Sequence, residues 1–327
     1  MSITQRLVGI AVGWILSFAA WGQWDADASA DGNLRFAWIH GSLSAKANTD
    51  VRVQVHRYNE HTYILRQNPA VHWEAPFMYL LMGEQRAVLF DVGATAETDY
   101  FPLRDVVDRV LERWQQANQV DELTLVVMPL GSEASQTAAR AQFEDRANTL
   151  IVDSDVASRA EILGPSWPSQ GSLDLGGRVL EVLATPGIDS HAISVYDAWA
   201  QVLLTGNAFF PGRLVIRDHA TYLTTLERLV DLSQTKDVRW IWGGRIEMSA
   251  DPGIDFLLRA NYRPNERKLQ MVPADLYDAW GIVRLINNQP DIHIHDDFIV
   301  MNGVGRGARA YGWPVYIPEM FRKDRTR

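Results

Sequence analysis

Leu123-Thr124-Leu125-Val126-Val127-Met128, followed by Pro129-Leu130-Gly131-Ser132-Glu133-Ala134-Ser135-Gln136, carries the clearest structural signal in this chain. The first six residues are an apolar run of strand length interrupted only by Thr124, the pattern of a strand buried on both faces. Pro129 and Gly131 then break it, and a helix is expected from there through Gln142. These residues hold one carboxylate, Glu133, and no histidine. Outward from this centre the same alternation of element types continues. Val51-Arg52-Val53-Gln54-Val55 has period two, and Phe77–Met82 and Ala87–Phe90 are apolar runs separated by the turn-like Gly83-Glu84-Gln85-Arg86. Leu103, Val106, Val107, Val110, Leu111 and Trp114 recur at helical spacing. On the C-terminal side, strands are expected at Leu150–Val152, Arg178–Leu183, Ala192–Tyr196, Gln201–Leu204 and Val238–Trp242, with a helix through Tyr222, Leu226, Leu229 and Val230. Strand meanders with helices in both halves predict two packed sheets with helices outside, although periodicity alone leaves α+β and α/β both open.

The chain has 327 residues, 47% hydrophobic and 22% charged, with a formal net charge of −9. That balance offers no broad basic surface, so nucleic acid is not an expected partner. Arg6 followed by the apolar Leu7–Ala20, with small residues at Ala20-Trp21-Gly22, reads as a signal peptide over residues 1–22, with Ala28-Ser29-Ala30 as a second cleavage candidate. The expected location is therefore periplasmic or secreted, with no membrane contact after signal removal; the alternative is a retained membrane anchor facing the periplasm. There is no cysteine, which excludes disulfides, thiolate metal sites and a lipidated N-terminal cysteine. A cysteine-free exported chain fits a bacterial periplasm.

Five short motifs fall in an order that resembles the metallo-β-lactamase-fold hydrolases. Phe90-Asp91-Val92-Gly93-Ala94-Thr95 resembles the family's Asp-Thr-Gly turn, and Leu123–Met128 the strand that delivers its His-x-His-x-Asp-His motif. Ala184-Thr185-Pro186-Gly187 is similar to the Thr-Pro-Gly-His turn, and Leu203-Leu204-Thr205-Gly206-Asn207 to the Thr-Gly-Asp turn. Gly243-Gly244-Arg245-Ile246-Glu247-Met248 resembles a Gly-x-His-Ile-Glu-Met segment. The resemblance runs from about Val51 to Leu269 and implies an α+β fold, an αββα sandwich of two mixed sheets with helices outside. The implied organisation is a signal at 1–22, a lead-in at 23–50, the metallo-β-lactamase-like domain at 51–271 and a C-terminal extension at 272–327.

Residue by residue, the metal ligands the resemblance implies are missing. One register of the first motif puts its four ligands at Pro129, Gly131, Glu133 and Ala134; the preferred one uses Gly131, Glu133, Ser135 and Gln136. The remaining ligand positions carry Ile188, Asn207 and Arg245. Zinc takes imidazole or anionic ligands, and a guanidinium repels it. No cofactor is expected, with zinc the cofactor if that degenerate-site reading fails. Without metal, water keeps its ordinary acidity and the family's hydrolytic mechanism is not expected.

The leading expectation is thus an exported pseudoenzyme that binds a small molecule or a protein partner, with a pocket built from Glu133, Gln136, His191, Asn207 and Arg245. Arg245 either closes that pocket by pairing with Glu133 or grips an anionic small molecule through a forked hydrogen bond. A working hydrolase of ester, lactone or β-lactam type, metal-independent or using an unrecognised metal site, is the first alternative. Its catalytic candidates are His191 as a base oriented by Asp189 or Glu133, together with Glu133 and Asp91, although Asp91 suits a role in tying down backbone. Ser135 lacks a nucleophile-elbow context. His293, His295 and Asp297 share one face if extended and form an alternative metal set. Gly303–Gly307 follows no strand-to-helix pattern and is not a phosphate loop. A structural scaffold with a filled pocket is the second alternative, and the twelve tryptophans favour it only slightly.

Overall fold

In the computed structural model, residues 31–305 and 315–316 are described. The signal at 1–22, the start of the lead-in and most of residues 306–327 lie outside them. Six strands form a first sheet in sequential order: β1 (Val53–Asn59), β2 (Thr62–Gln67), β3 (Phe77–Met82), β4 (Arg86–Phe90), β5 (Thr124–Met128) and β6 (Thr149–Ile151). The first four are antiparallel, and β4, β5 and β6 are parallel. A second mixed sheet is ordered β14 (Gln270–Met271), β12 (Trp240–Gly243), β10 (Val202–Gly206), β9 (Ile193–Asp197), β8 (Val179–Ala184), β7 (Gly171–Asp174). Smaller sheets join β11 (Arg213–Ile216) with β16 (Ile299–Asn302) and β15 (Asp291–Ile294), and β13 (Asp255–Phe256) with β17 (Val315–Tyr316).

Period-two side-chain alternation explains why both large sheets are buried on both faces. Along β3, Tyr79 and Leu81 enter the core between the sheets, whereas Met78, Leu80 and Met82 join the outer core under α1 (Leu103–Asn118). Val126 and Met128 of β5 likewise face in while Leu125 and Val127 face α1. In the second sheet Val202, Leu204 and Trp242 face in, while Leu203 and Ile241 meet α4 (His219–Thr235) and α5 (Pro273–Ile286). The layers are helix, sheet, sheet, helix: the αββα sandwich of metallo-β-lactamase-like type that the motifs imply.

One detail differs from the sequence expectation. The helix expected through Gln142 is a single turn, α2 (Ala134–Thr137), followed by a separate 3₁₀ turn at Arg140–Phe143. Gln142 turns its side-chain amide to the carbonyls of Ala96 and Phe101. Residues 273–302 are folded onto the domain: α5 shares the outer core with α4, and β16 pairs in parallel with β11 (Leu214↔Val300). The remaining short helix is α3 (Val156–Leu163). Among the described residues no helix is long and apolar enough to cross a membrane.

Candidate functional site

Parallel pairing brings together the strand ends that carry the motif residues. Phe90 of β4 is in register with Met128 of β5, so Asp91 and Pro129 leave the first sheet side by side. Gly206 of β10 is in register with Gly243 of β12, which sets Asn207 near Gly244 and Arg245. The sheets are tied at this edge by Phe77 N to Gly244 O (2.8 Å) and by Ile193 N to Leu130 O (2.8 Å).

Arg245 lies at the centre and is fully buried. Its Nη1 donates to Glu74 Oε1 at 3.0 Å and lies 3.6 Å from Glu133 Oε2, and its Nε is 3.3 Å from Glu247 Oε1. The guanidinium also sits 4.6 Å from the Phe210 ring centroid. Three carboxylates and an aromatic face offset the lost hydration of this cation in part, although its Nε and Nη2 have no hydrogen-bond partner. Glu247 is itself shared with Arg213, whose backbone N (3.0 Å) and Nη1 (3.2 Å) both reach Oε2, and Arg213 Nη2 lies 2.6 Å from Asp255. Burial alone would raise the Glu247 carboxyl, but Arg213 and Arg245 outweigh it and hold it below the ordinary range. Burial has the upper hand at Glu74 and raises it despite Arg245.

From Glu133 a hydrogen-bonded chain runs back to Asp91. Asn207 Nδ2 donates to Glu133 Oε2 (2.8 Å) and to Gln136 Oε1 (3.2 Å). Gln136 Nε2 in turn donates to both Asp91 oxygens (3.3 and 3.2 Å), and Asp91 Oδ1 also accepts from Leu130 N (2.7 Å). Arg217 meets Glu133 Oε1 from the solvent side at 3.1 Å. Four expected pocket residues, Glu133, Gln136, Asn207 and Arg245, are therefore in one connected network with Asp91.

His191 is outside it. Its imidazole is 44% exposed, contacts Ser190 Oγ at 3.0 Å and lies 3.9 Å from Asp189. Asp189 instead holds the loop after β5, accepting from Ser132 N (2.5 Å), Ser132 Oγ (2.8 Å) and His191 N (2.9 Å). A base needs a partner that orients it, and at 3.9 Å the Asp189 carboxylate does not hydrogen-bond the ring. The alternative metal set also fails to assemble. His295 stacks on Phe298 (4.3 Å between centroids), Asp297 pairs with Arg267, and His293 lies at an exposed strand position. Among the described residues no three His, Asp or Glu side chains are grouped so as to hold a metal ion.

The residues at the implied ligand positions do not fit zinc. Gly131 and Ile188 offer no donor, Gln136 and Asn207 are spent on each other and their carboxylate neighbours, and Arg245 fills the centre with its own positive charge. The ion pairs of Arg245 are to three carboxylates of its own chain. Two surface clefts, of about 390 and 900 Å³, are lined by other residues: the second by Lys46, Arg52, Asn68, His72, Thr95 and Tyr100 among others. Glu74 and Glu247 were not among the sequence candidates. Glu247 stood two residues from Arg245 in a quoted motif, whereas Glu74 lies in an aperiodic loop with no signal of its own.

Solved structures similar to this chain include two metallo-β-lactamase-type proteins. A metallo-β-lactamase from Pontibacter korlensis is 12% identical, with a TM-score of 0.48, covering 71% of this chain and 99% of that one. TMB-1, a structure described with substrate and inhibitor binding, is 11% identical with a TM-score of 0.44, covering 60% of this chain and 90% of that one. No protein-family model matches, and no curated protein matches. The helix–sheet–sheet–helix layering, rather than these values, defines the fold class.

Asp91 supplies a pH signature. It is buried, in left-handed backbone (φ 65°), and burial pushes its carboxyl up to about 7 against the opposing pull of Leu130 N, Gln136 and Arg159; Asp189 pushes the same way as burial. A raised folded value means the native state holds a proton that the unfolded chain has released, so stability falls as pH climbs from about 4 to about 7. Asp91→Asn removes this titration. In urea unfolding from pH 4 to 8, wild type is expected to lose stability relative to the variant up to about pH 7 and then level off. A pH-independent difference would disprove the assignment.

Proposed function

We propose that this chain is a non-catalytic member of the metallo-β-lactamase-fold superfamily, a pseudoenzyme whose former reaction centre is a closed ion-pair core and whose work is done by its outer surface with a protein partner. The observation that supports it is the burial of Arg245 among Glu74, Glu133 and Glu247. A permanent cation in that position does not suit a metal-ligand set, and the surrounding carboxylates would repel an anionic ligand. The leader-like residues 1–22 support a location outside the cytoplasm, in the periplasm or beyond.

Turnover of ester, lactone and β-lactam substrates should stay at the uncatalysed rate with purified protein, with or without added zinc. Zinc measured by elemental analysis after dialysis should remain far below one ion per chain. Chelator-sensitive turnover, or one tightly held zinc, would overturn the proposal. Turnover that survives chelator would instead establish the metal-independent hydrolase.

A further inference from the structure

Three loops form most of the surface cleft of about 900 Å³: residues 46–52 ahead of β1, 68–72 after β2 and 94–100 ahead of α1. Two consecutive amides at the end of β2 hold them in place. Asn68 is almost fully buried; its Nδ2 donates to Asn48 Oδ1 (3.0 Å) and Val51 O (2.9 Å), and its Oδ1 accepts from Ala70 N (2.8 Å). Asn68 N also donates to Arg52 O at 2.9 Å. Gln67, fully buried, donates from Nε2 to Thr95 Oγ1 (2.7 Å) and accepts from Ala94 N at Oε1 (2.8 Å). A buried amide is costly unless its hydrogen bonds are made, and these two make theirs to the three walls. The cleft is thus a built feature of the fold, with binding loops set on a rigid strand end.

Lys46, Asp50, Arg52 and Glu97 line this cleft, two cations and two anions, all exposed. Among the described residues none of these four side chains is ion-paired. Arg52 has the Tyr100 ring, 5.7 Å from guanidinium to centroid, and Asp50 the Asn48 amide at 3.4 Å. Opposite charges kept apart in one cleft leave both signs to a ligand, whereas a ligand of one sign alone would find two of the four against it. Tyr100, exposed beside Arg52, adds an apolar face. We propose that this cleft binds a short peptide with free ends, its carboxylate taken by Arg52 and Lys46, its ammonium by Asp50 and Glu97, and an apolar side chain by Tyr100. Arginine suits the carboxylate because its fork matches two oxygens. The volume lies near the top of the roughly 300–1,000 Å³ typical of small-molecule sites, which favours a few residues over a single amino acid. None of these four charges belongs to the Arg245 cluster, so the two sites can be tested apart.

The test is equilibrium dialysis of the purified protein at low salt against a pool of tripeptides with alanine ends and every residue type in the middle. Members with an aromatic or branched aliphatic centre should be retained with dissociation constants of about 10–100 μM. For the best-retained peptide, acetylating the amine or amidating the carboxylate should each weaken binding at least about tenfold, the loss of a charge-assisted contact. The double variant Lys46→Gln/Arg52→Gln should weaken the free peptide as much as amidation does, and should bind the amide no worse than the free acid. Asp50→Asn/Glu97→Gln should do the same for acetylation. All four positions are exposed, so both variants should keep the wild-type melting temperature. A pool from which nothing is retained overturns the proposal, as does binding indifferent to blocked ends or to these variants. Free phenylalanine held as tightly as the peptides would overturn the peptide assignment.

Discussion

Replacing Arg245 with Met should destabilise the fold by about 3–5 kcal/mol at neutral pH, the cost typical of removing one partner from a buried charge cluster. The methionine fills comparable volume, so the loss reports electrostatics rather than a cavity. Glu247, almost fully buried, would keep Arg213 but lose its second cation, and Glu74 and Glu133 would face each other across an uncharged centre. In the native chain Arg213 and Arg245 keep the Glu247 carboxyl below its ordinary value of 4.5. A depressed acid stabilises the fold above its unfolded pKa, and that stability is lost as pH falls through the folded value. The gap between wild type and variant should therefore be widest above about pH 5 and should narrow below it. Urea unfolding monitored by circular dichroism measures both quantities. A loss below about 1 kcal/mol at pH 7 would mean that the cluster is not a buried ion-pair core.

Trp242→Ala should cost a similar amount, about 3–5 kcal/mol, by a different mechanism. Trp242 is 1% exposed between the two large sheets, with Tyr58 edge-on at 4.8 Å and Tyr79 stacked at 5.7 Å between ring centroids. Tyr79 Oη also donates to Gly243 O at 2.5 Å, so the same few residues join the sheets by packing and by a hydrogen bond. Removing the indole leaves a cavity at the seam that backbone hydrogen bonding prevents from collapsing. Unlike the Arg245 variant, this loss should be nearly independent of pH between about 5 and 8. A strongly pH-dependent loss, or one under about 1 kcal/mol, would show that Trp242 does not hold the seam.

Most strands were legible because each alternates between two buried faces. Val126 and Met128 against Leu125 and Val127 is a pattern that only a doubly covered strand sustains. The helix bearing Leu103, Val107, Val110, Leu111 and Trp114 was legible for the corresponding reason, a single apolar stripe. The end of the helix after Glu133 was not, since Ala134–Phe143 is compatible with one helix or two turns, and the contacts of Gln142 select the latter. Segment 273–302 carries helical and strand patterns, but nothing local says that β16 pairs with β11, more than eighty residues before it.

The candidate site divides in the same way. Glu133, Gln136, Asn207 and Arg245 could be grouped in advance because each follows a recognisable strand or turn, and parallel pairing carries their strand ends together. His191 shared that expectation, yet its ring turns to solvent while its backbone and Asp189 hold the loop. Distances between side chains on one loop depend on rotamers and turn geometry, which a residue pattern does not encode.

What the sequence determined by itself was the position of most strands and the lack of histidine in the segment after β5, because side-chain period and donor chemistry are properties of local residue order. Only the tertiary structure decided what surrounds Arg245. Glu74 and Arg245 are 171 residues apart in the chain and 3.0 Å apart in space. That pairing exists because two independently patterned sheets pack face to face and desolvate the ends of their strands together, leaving a buried guanidinium among carboxylates and the Phe210 ring.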